Sequence, residues 1–150
     1  MTNGGARFIN KIRYLHVERQ LKQMSYKKED LAYIAGFFDG EGSLSLFKMR
    51  FKNGKIAYHP RFQLYNTNED VLIYIQKNLG GTLTCRVRGE NYKPLYVLTI
   101  TSIGEVILVL ELIKPYVKLK KERLDEVLSF CYSRLENKRY SDSERASSEV

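Results

Sequence analysis

The sequence predicts an α+β domain in which two β-hairpins alternate with helices, and three observations carry that expectation. Residues 31–38, LAYIAGFF, are apolar or small and free of proline, as a short buried helix requires. Two stretches of strand-like alternation follow, joined through Asn53-Gly54, a strong hairpin signal. After a segment of helical period, a second alternating pair appears, TLTCRVRG and PLYVLTIT, with two more helical stretches behind it. At 150 residues the chain makes one domain large enough to bury a core. Its 43% hydrophobic and 28% charged content is that of an ordinary soluble globule, which sets aside a wholly disordered chain.

The first helix is expected from Asp30. Ala32, Gly36 and Gly40 recur on it at i, i+4 and i+8, a stripe of small side chains that lets another backbone approach closely and predicts a helix-to-helix contact surface. Gly40 and Gly42 are expected to end the helix by taking the left-handed conformation. Asp39 and Glu41 then stand at the negative end of the helix dipole, where a carboxylate costs roughly 0.3 to 1 kcal/mol unless a cation offsets it. Mg²⁺, a hard ion that takes carboxylate, carbonyl, water and phosphate oxygen, suits that position.

Strands are predicted near 43–52 and 56–66, then a helix over 68–79 with Val71, Leu72, Ile75 and Leu79 on one face and Gly80-Gly81 as its stop. In the second hairpin, alternation directs Cys85 and Val87 to the core, with Phe62 and Leu64 of the first. Ser102 and Glu105 read as a capping box before VILVLELI, Pro115 ends that helix, and Leu119–Leu135 forms the last. Three units result: a basic extension over 1–25, a domain over 26–135, and a polar, Ser-rich tail over 136–150 that is expected to be unstructured.

Charge narrows the function. A net charge of +8 points to a polyanionic partner. From Gly42 to Asn68 there is no carboxylate, while Lys48, Arg50, Lys52, Lys55, His59 and Arg61 all fall there. Arg7, Lys11, Arg13, Arg19 and Lys22 face one acid, Glu18, in the segment before the first helix. Cys85 and Cys131 are too few and too far apart for a disulfide scaffold or a zinc site, and His16 and His59 are isolated. No glycine phosphate loop, nucleophile motif or nicotinamide fingerprint is present, which argues against an ordinary metabolic enzyme. The apolar run VILVLELI is short and carries Glu111, so no membrane role is expected. A cytoplasmic location is expected, or an organelle matrix or stroma if the gene is organellar.

Residues 34–42, IAGFFDGEG, resemble the LAGLIDADG motif of homing endonucleases. FQLYNTNED, LGGTLTCRVRG and PYVKLKKERL follow in the order of that family, and together they resemble its single-motif, homodimeric branch over about residues 26–135. The resemblance implies an αββαββα fold, a saddle-shaped antiparallel sheet on DNA with helices behind it. It implies divalent-metal-dependent hydrolysis of both DNA strands across the minor groove, leaving short 3′ overhangs in a long, roughly palindromic target. Mg²⁺ is the implied cofactor, with Mn²⁺ as a substitute and Ca²⁺ supporting binding without cleavage.

By the same resemblance Glu41 is the metal-binding carboxylate, although most members carry Asp there, and the Gly40 carbonyl is a second ligand. Asp39 matches the earlier motif acid, a structural residue more often than a ligand. Asn66 aligns with the polar residue that positions water, and it suits a strand-to-helix turn equally well. Lys118 aligns with a basic residue near the scissile phosphate. Asp70 stands where some relatives carry a base.

One motif per chain supplies one acid site. Two chains related by a twofold axis would pack their Ala32, Gly36 and Gly40 stripes together and bring both Glu41 side chains near that axis. For base reading, alternation groups His59, Arg61 and Gln63 on one face of a strand, and Arg86 with Arg88 on another. Arg suits guanine and Gln suits adenine in a major groove that admits a two-stranded ribbon. Lys93 suits a phosphate. Lys48 and Arg50 join the DNA-binding set, but they share the parity of Leu44 and Leu46, so a bulge or a strand overhanging the core is required. Two other readings of the scaffold stay open: an intron RNA maturase, and a DNA-binding regulator without catalysis.

Overall fold

A computed structural model of the chain describes residues 26–148, with side chains through residue 137; the basic segment over 1–25 lies outside them. Helix α1 (Lys28–Glu41) leads directly into strand β1 (Gly42–Arg50). Strand β2 (Ile56–Asn66), helix α2 (Glu69–Leu79), strands β3 (Thr82–Arg86) and β4 (Leu95–Ile100), and helix α3 (Ile103–Ile113) follow. A 3₁₀ turn (Lys114–Tyr116) then leads to helix α4 (Lys121–Ser148). The strands form one open antiparallel sheet in the order β1-β2-β4-β3. None of the described helices is long and apolar enough to cross a membrane.

Pleating decides what each sheet face does. Leu44, Phe62, Leu64, Leu98 and Ile100 share one face and are buried against Ile34, Ala35 and Phe38 of α1, Leu72 and Ile75 of α2, and the apolar stripes of α3 and α4. Phe38 stacks on Phe62 with ring centroids 5.1 Å apart, joining the motif helix to the middle strand. Full burial of such a side chain contributes roughly 1.5–3 kcal/mol. No described element covers the opposite face, which carries Ser43, Ser45, Phe47, His59, Arg61, Gln63, Tyr65, Thr84, Arg86 and Thr99 by the register of the pairs.

Several expectations change. The β1–β2 register runs unbroken from Gly42↔Leu64 to Arg50↔Ile56, so no bulge is present; the hairpin overhangs the core instead, with Met49, Phe51, Ile56 and Tyr58 exposed. Its turn is a three-residue loop, not the two-residue turn that Asn-Gly suggests. Phe51 N–H donates to the Lys55 carbonyl, Gly54 N–H to the Phe51 carbonyl, and Gly54 takes the left-handed conformation at φ +81°. Neither Gly40 nor Gly42 is left-handed. Gly42 is required by packing, because a Cβ there would lie 2.6 Å from Phe38 Cδ2 and 2.8 Å from the Phe38 carbonyl.

Cys85 and Val87 are exposed, not core. β3 is a short edge strand bonded only to β4, so its outer end runs past the helical layer. Cys131 is buried as expected, and burial pushes its thiol up to about 12. Ser102 occupies the N-cap of α3 but makes no side-chain cap bond, so the capping box does not form; the cap is instead seen at α2, where Asn68 Oδ1 accepts from Val71 N–H at 3.2 Å. Pro115 falls in the 3₁₀ turn, and α3 ends before it, as expected. The last helix continues past Leu135 to Ser148, because residues 136–148 hold neither Gly nor Pro to stop it.

Candidate functional site

The direct junction of α1 and β1 sets the geometry. Asp39, half-buried in the last turn of α1, accepts from Lys118 N–H at 2.7 Å and Leu119 N–H at 3.1 Å through Oδ2, and from Lys120 N–H at 3.0 Å through Oδ1. A carboxylate from one helix thereby holds the backbone of the segment that leads into another, α4. Burial alone would raise the Asp39 carboxyl; the three backbone donors and the Lys120 ammonium outweigh it and hold the group below the usual carboxylate range. With both oxygens engaged, the geometry favours the structural of the two roles expected for Asp39.

Lys120 completes the junction in the other direction. Its ammonium donates to the Phe38 carbonyl at 2.9 Å and to the Gly42 carbonyl, and lies 5.3 Å from the centroid of the Phe38 ring. The cation that the dipole argument calls for at this helix end is therefore present in the chain itself. Sequence reasoning did not single out Lys120; Lys118, which it did, has an exposed side chain that makes no bond among the described residues, while its backbone N–H holds Asp39. The two lysines are two residues apart in KLK, and only the fold shows which ammonium turns inward.

Glu41 is exposed at the end of α1 and has no hydrogen bond or ion pair among the described residues. The Gly40 carbonyl belongs to the last turn, beyond the reach of intrahelical donors. A free carboxylate and a helix-terminal carbonyl are hard oxygen donors of the kind Mg²⁺ takes together with water and phosphate oxygen, so these residues fit a divalent ion. They do not enclose it: no group of three or more His, Cys, Asp or Glu side chains able to hold a metal occurs among the described residues.

Asn66 reaches the same end of the sheet, two residues beyond Leu64, the partner of Gly42. Its Oδ1 accepts from Asn68 N–H at 2.8 Å, so the side chain forms the strand-to-helix turn that its residue type also suits. Ala32, Gly36 and Gly40 line the exposed side of α1, and a Cβ added at Gly36 or Gly40 would meet nothing within 4 Å.

On the uncovered sheet face the Arg61 guanidinium lies 4.1 Å from the centroid of the Phe47 ring, and Phe47 packs against His59 at 5.9 Å. Arg86 shares this face by register. Gln63 also does, but it is buried: its Nε2 donates to Thr99 Oγ1 at 3.1 Å and its Oε1 accepts from Tyr65 Oη at 2.5 Å. The amide expected to read adenine is held within the sheet. Lys48 and Arg50 are exposed but stand on the opposite face, where pleating puts them with Leu44 and Leu46. Arg88 lies past the end of β3, where its Nη2 donates to the Lys93 carbonyl at 3.4 Å and its guanidinium lies 5.7 Å from the Tyr92 ring centroid; Lys93 is exposed beside it. Ser43, Ser45, Phe47, Tyr65 and Thr99 were not among the expected face residues, although the parity of Arg61 across the hairpin points to the first three.

Comparisons with known proteins agree with this fold. The family model of the LAGLIDADG endonucleases matches residues 34–138. An intron-encoded DNA endonuclease, ai2b, of Dictyostelium discoideum is 33% identical over 87 residues, covering 58% of this chain and 32% of that protein. The chain thus spans about a third of the length of this curated relative. Among solved structures, an archaeal intron-encoded homing endonuclease complexed with DNA superimposes with a TM-score of 0.64 at 21% identity, over 74% of this chain and 72% of that one. The homing endonuclease I-CvuI, in complex with a DNA target in the presence of Mg, gives 0.59 at 23% identity over 70% and 69%. Meganuclease I-SmaMI bound to DNA gives 0.62 at 19% identity, but the match takes in 78% of this chain and only 40% of that one.

Proposed function

The chain belongs to the LAGLIDADG endonuclease family, and from that premise we propose that it is a homodimeric, site-specific DNA endonuclease. It makes a metal-dependent double-strand break with short 3′ overhangs in a long, roughly palindromic target. The observation that carries this reading is Glu41, a carboxylate left free beside the Gly40 carbonyl at the end of a helix where Asp39 and the Phe38 carbonyl are engaged.

Glu41 and the Gly40 carbonyl would hold the ion, Mg²⁺ by preference. Once bound, such an ion supplies charge to the transition state and the leaving oxygen, and favours ionisation of the attacking water. The side-chain amide of Asn66 orients water at the same end of the sheet, and the Lys118 ammonium offsets phosphate charge. Each chain contributes one Glu41, and cutting two strands takes two. The exposed stripe of Ala32, Gly36 and Gly40 supplies the contact, since bare Cα positions let the α1 helices of two copies approach closely.

The test is incubation of wild type and Glu41→Gln with a randomised duplex library in Mg²⁺ and in Ca²⁺, followed by sequencing of cut ends. Discrete, near-palindromic cuts made only by wild type in Mg²⁺ are expected. Enrichment of bound DNA without any cutting would overturn the reading in favour of a regulator or a maturase. Gly36→Leu is expected to yield monomers by light scattering.

A further inference from the structure

The overhang of the first hairpin carries apolar side chains that no packing explains: Met49, Phe51, Ile56 and Tyr58 are all exposed on it. Its two faces treat them differently. Behind, Tyr58 lies opposite Lys48 and Ile56 opposite Arg50, so each has a long cationic stem across the ladder to cover it. In front, on the uncovered sheet face, Met49 lies opposite Ala57, whose methyl gives no such cover. That face also changes character along its length. Its pairs nearest Gly42 are polar, Ser43 with Gln63 and Ser45 with Arg61. Phe47, opposite His59, has its ring taken by the Arg61 guanidinium at 4.1 Å and by His59 at 5.9 Å. From Met49 and Ala57 outward the face is apolar, with Phe51 exposed at the tip.

Charge selects the occupant. No carboxylate falls between Gly42 and Asn68, and Lys48, Arg50, Lys52, Lys55 and Arg61 surround the apolar pair. An apolar protein partner would bury those cations unpaired, whereas a polyanion answers them. A DNA duplex presents one apolar group at the major-groove edge of its bases, the C5 methyl of thymine. We propose that Met49 and Ala57 read thymine through that methyl in the outer part of each half-site. The proposal rests on the endonuclease reading and extends its specificity. Met49 lies four residues beyond Ser45, the partner of Arg61, in the direction away from Glu41. At roughly 3.4 Å per strand residue and per base step, that puts the thymine about four base pairs outside the pair that Arg61 reads.

The experiment uses the full chain and the target it selects from the randomised library, with affinity measured in metal-free buffer. Each thymine in turn is replaced by deoxyuridine, which keeps every hydrogen-bonding group of the base and removes only the methyl. Arg61→Ala locates the inner pair by the position at which preference relaxes. Wild type is expected to bind about 4-fold more weakly when deoxyuridine stands about four base pairs outside that position, the worth of one methyl taken out of water. Met49→Ser is expected to bind the thymine and deoxyuridine targets alike at that position. Met49→Leu, which keeps an apolar side chain, is expected to retain the preference.

A selected target with no thymine in the outer half-site overturns the proposal. So does wild-type affinity that deoxyuridine leaves unchanged there, or a deoxyuridine effect that survives in Met49→Ser. Discrete cutting by a wild type that tolerates deoxyuridine throughout overturns the methyl reading alone. Specific binding with the expected deoxyuridine loss but without cutting in Mg²⁺ overturns the endonuclease reading and supports the methyl contact.

Discussion

The two hairpins share one sheet but are built to different standards. The first pairs nine residues of β1 with β2, and α4 braces it from behind: Arg123 Nε donates to the Leu44 carbonyl at 3.0 Å and Arg134 Nη1 to the Tyr58 carbonyl at 2.7 Å. In the second, β3 pairs over five residues only, with Cys85 near its outer end and Val87 just beyond it in solvent. Phe62 and Leu64 of the first hairpin are fully buried, whereas Leu83 of β3 is only half-buried. A strand pair that overhangs the core needs support from elsewhere in the chain. The first hairpin obtains it from α4, and the second stays short.

The comparison breaks most sharply at the anchors. Phe62→Ala, which removes a ring stacked on Phe38, is expected to cost about 3–5 kcal/mol. Leu83→Ala, at a half-buried edge position, is expected to cost about 1 kcal/mol. Urea unfolding midpoints of the two variants measure the contrast, and equal losses would show the hairpins to be equally anchored. Gly42→Ala belongs with the large effects, since its Cβ meets backbone as well as a ring.

Base reading should divide along the same line. Arg61, stacked on Phe47, would enter a groove partly ordered, so under the proposed function Arg61→Ala is expected to lose roughly 1–3 kcal/mol of discrimination at one base pair per half-site. Arg86→Ala, on the unbraced edge, should relax preference at a different pair by less. Binding to an ordered series of single-base variants of the target separates the two, and uniform weakening on all sequences would reassign either residue to phosphate.

Much of this division was written in the sequence. Strand parity put Phe62 and Leu64 inward and Arg61 outward, and the motif with its glycines marked the end of α1. What sequence could not supply was extent and direction. Cys85 has the same parity signal as Phe62, and only the position of β3 at the sheet edge leaves it in solvent. Gln63 reads as a groove residue until Tyr65 and Thr99 are seen to hold both ends of its amide. KLK offers two ammonium groups, and a contact between residues far apart in the chain decides which one caps α1. The family was legible in the motif and in the order of later segments; the contacts at the end of α1 are seen only in the fold.

Acid separates the junction behind Glu41 from the hairpins. The Asp39 carboxyl titrates lower in the folded chain than in the unfolded one. Its stabilisation is therefore complete above the ordinary carboxylate pKa and is lost as pH falls through the lowered folded value. Asp39→Asn is expected to flatten the acid limb of stability against pH and leave the neutral-to-basic limb parallel to wild type. An unchanged acid limb in thermal melts across that range would show that the three backbone bonds do not depend on the charge.

The smallest effect tests the brace itself. β4 pairs β2 only from Phe62 onward, so the outer part of β2 has a free edge on that side. Pro60 lacks an N–H to offer there, and the Arg134 guanidinium takes the Tyr58 carbonyl. Arg134→Met keeps much of the apolar stem and removes the donor, at an expected cost of about 0.5–1.5 kcal/mol, the worth of one hydrogen bond. Global stability will register this only weakly; amide hydrogen exchange in β2 reads it directly. Faster exchange confined to the outer β1–β2 pairs, with the pairs near Gly42 and Leu64 unchanged, is the result expected if α4 holds the overhang in place. Exchange that rises evenly along β2 would mean that the hairpin is stiff by its own pairing, and the difference between the two hairpins would then reduce to strand length.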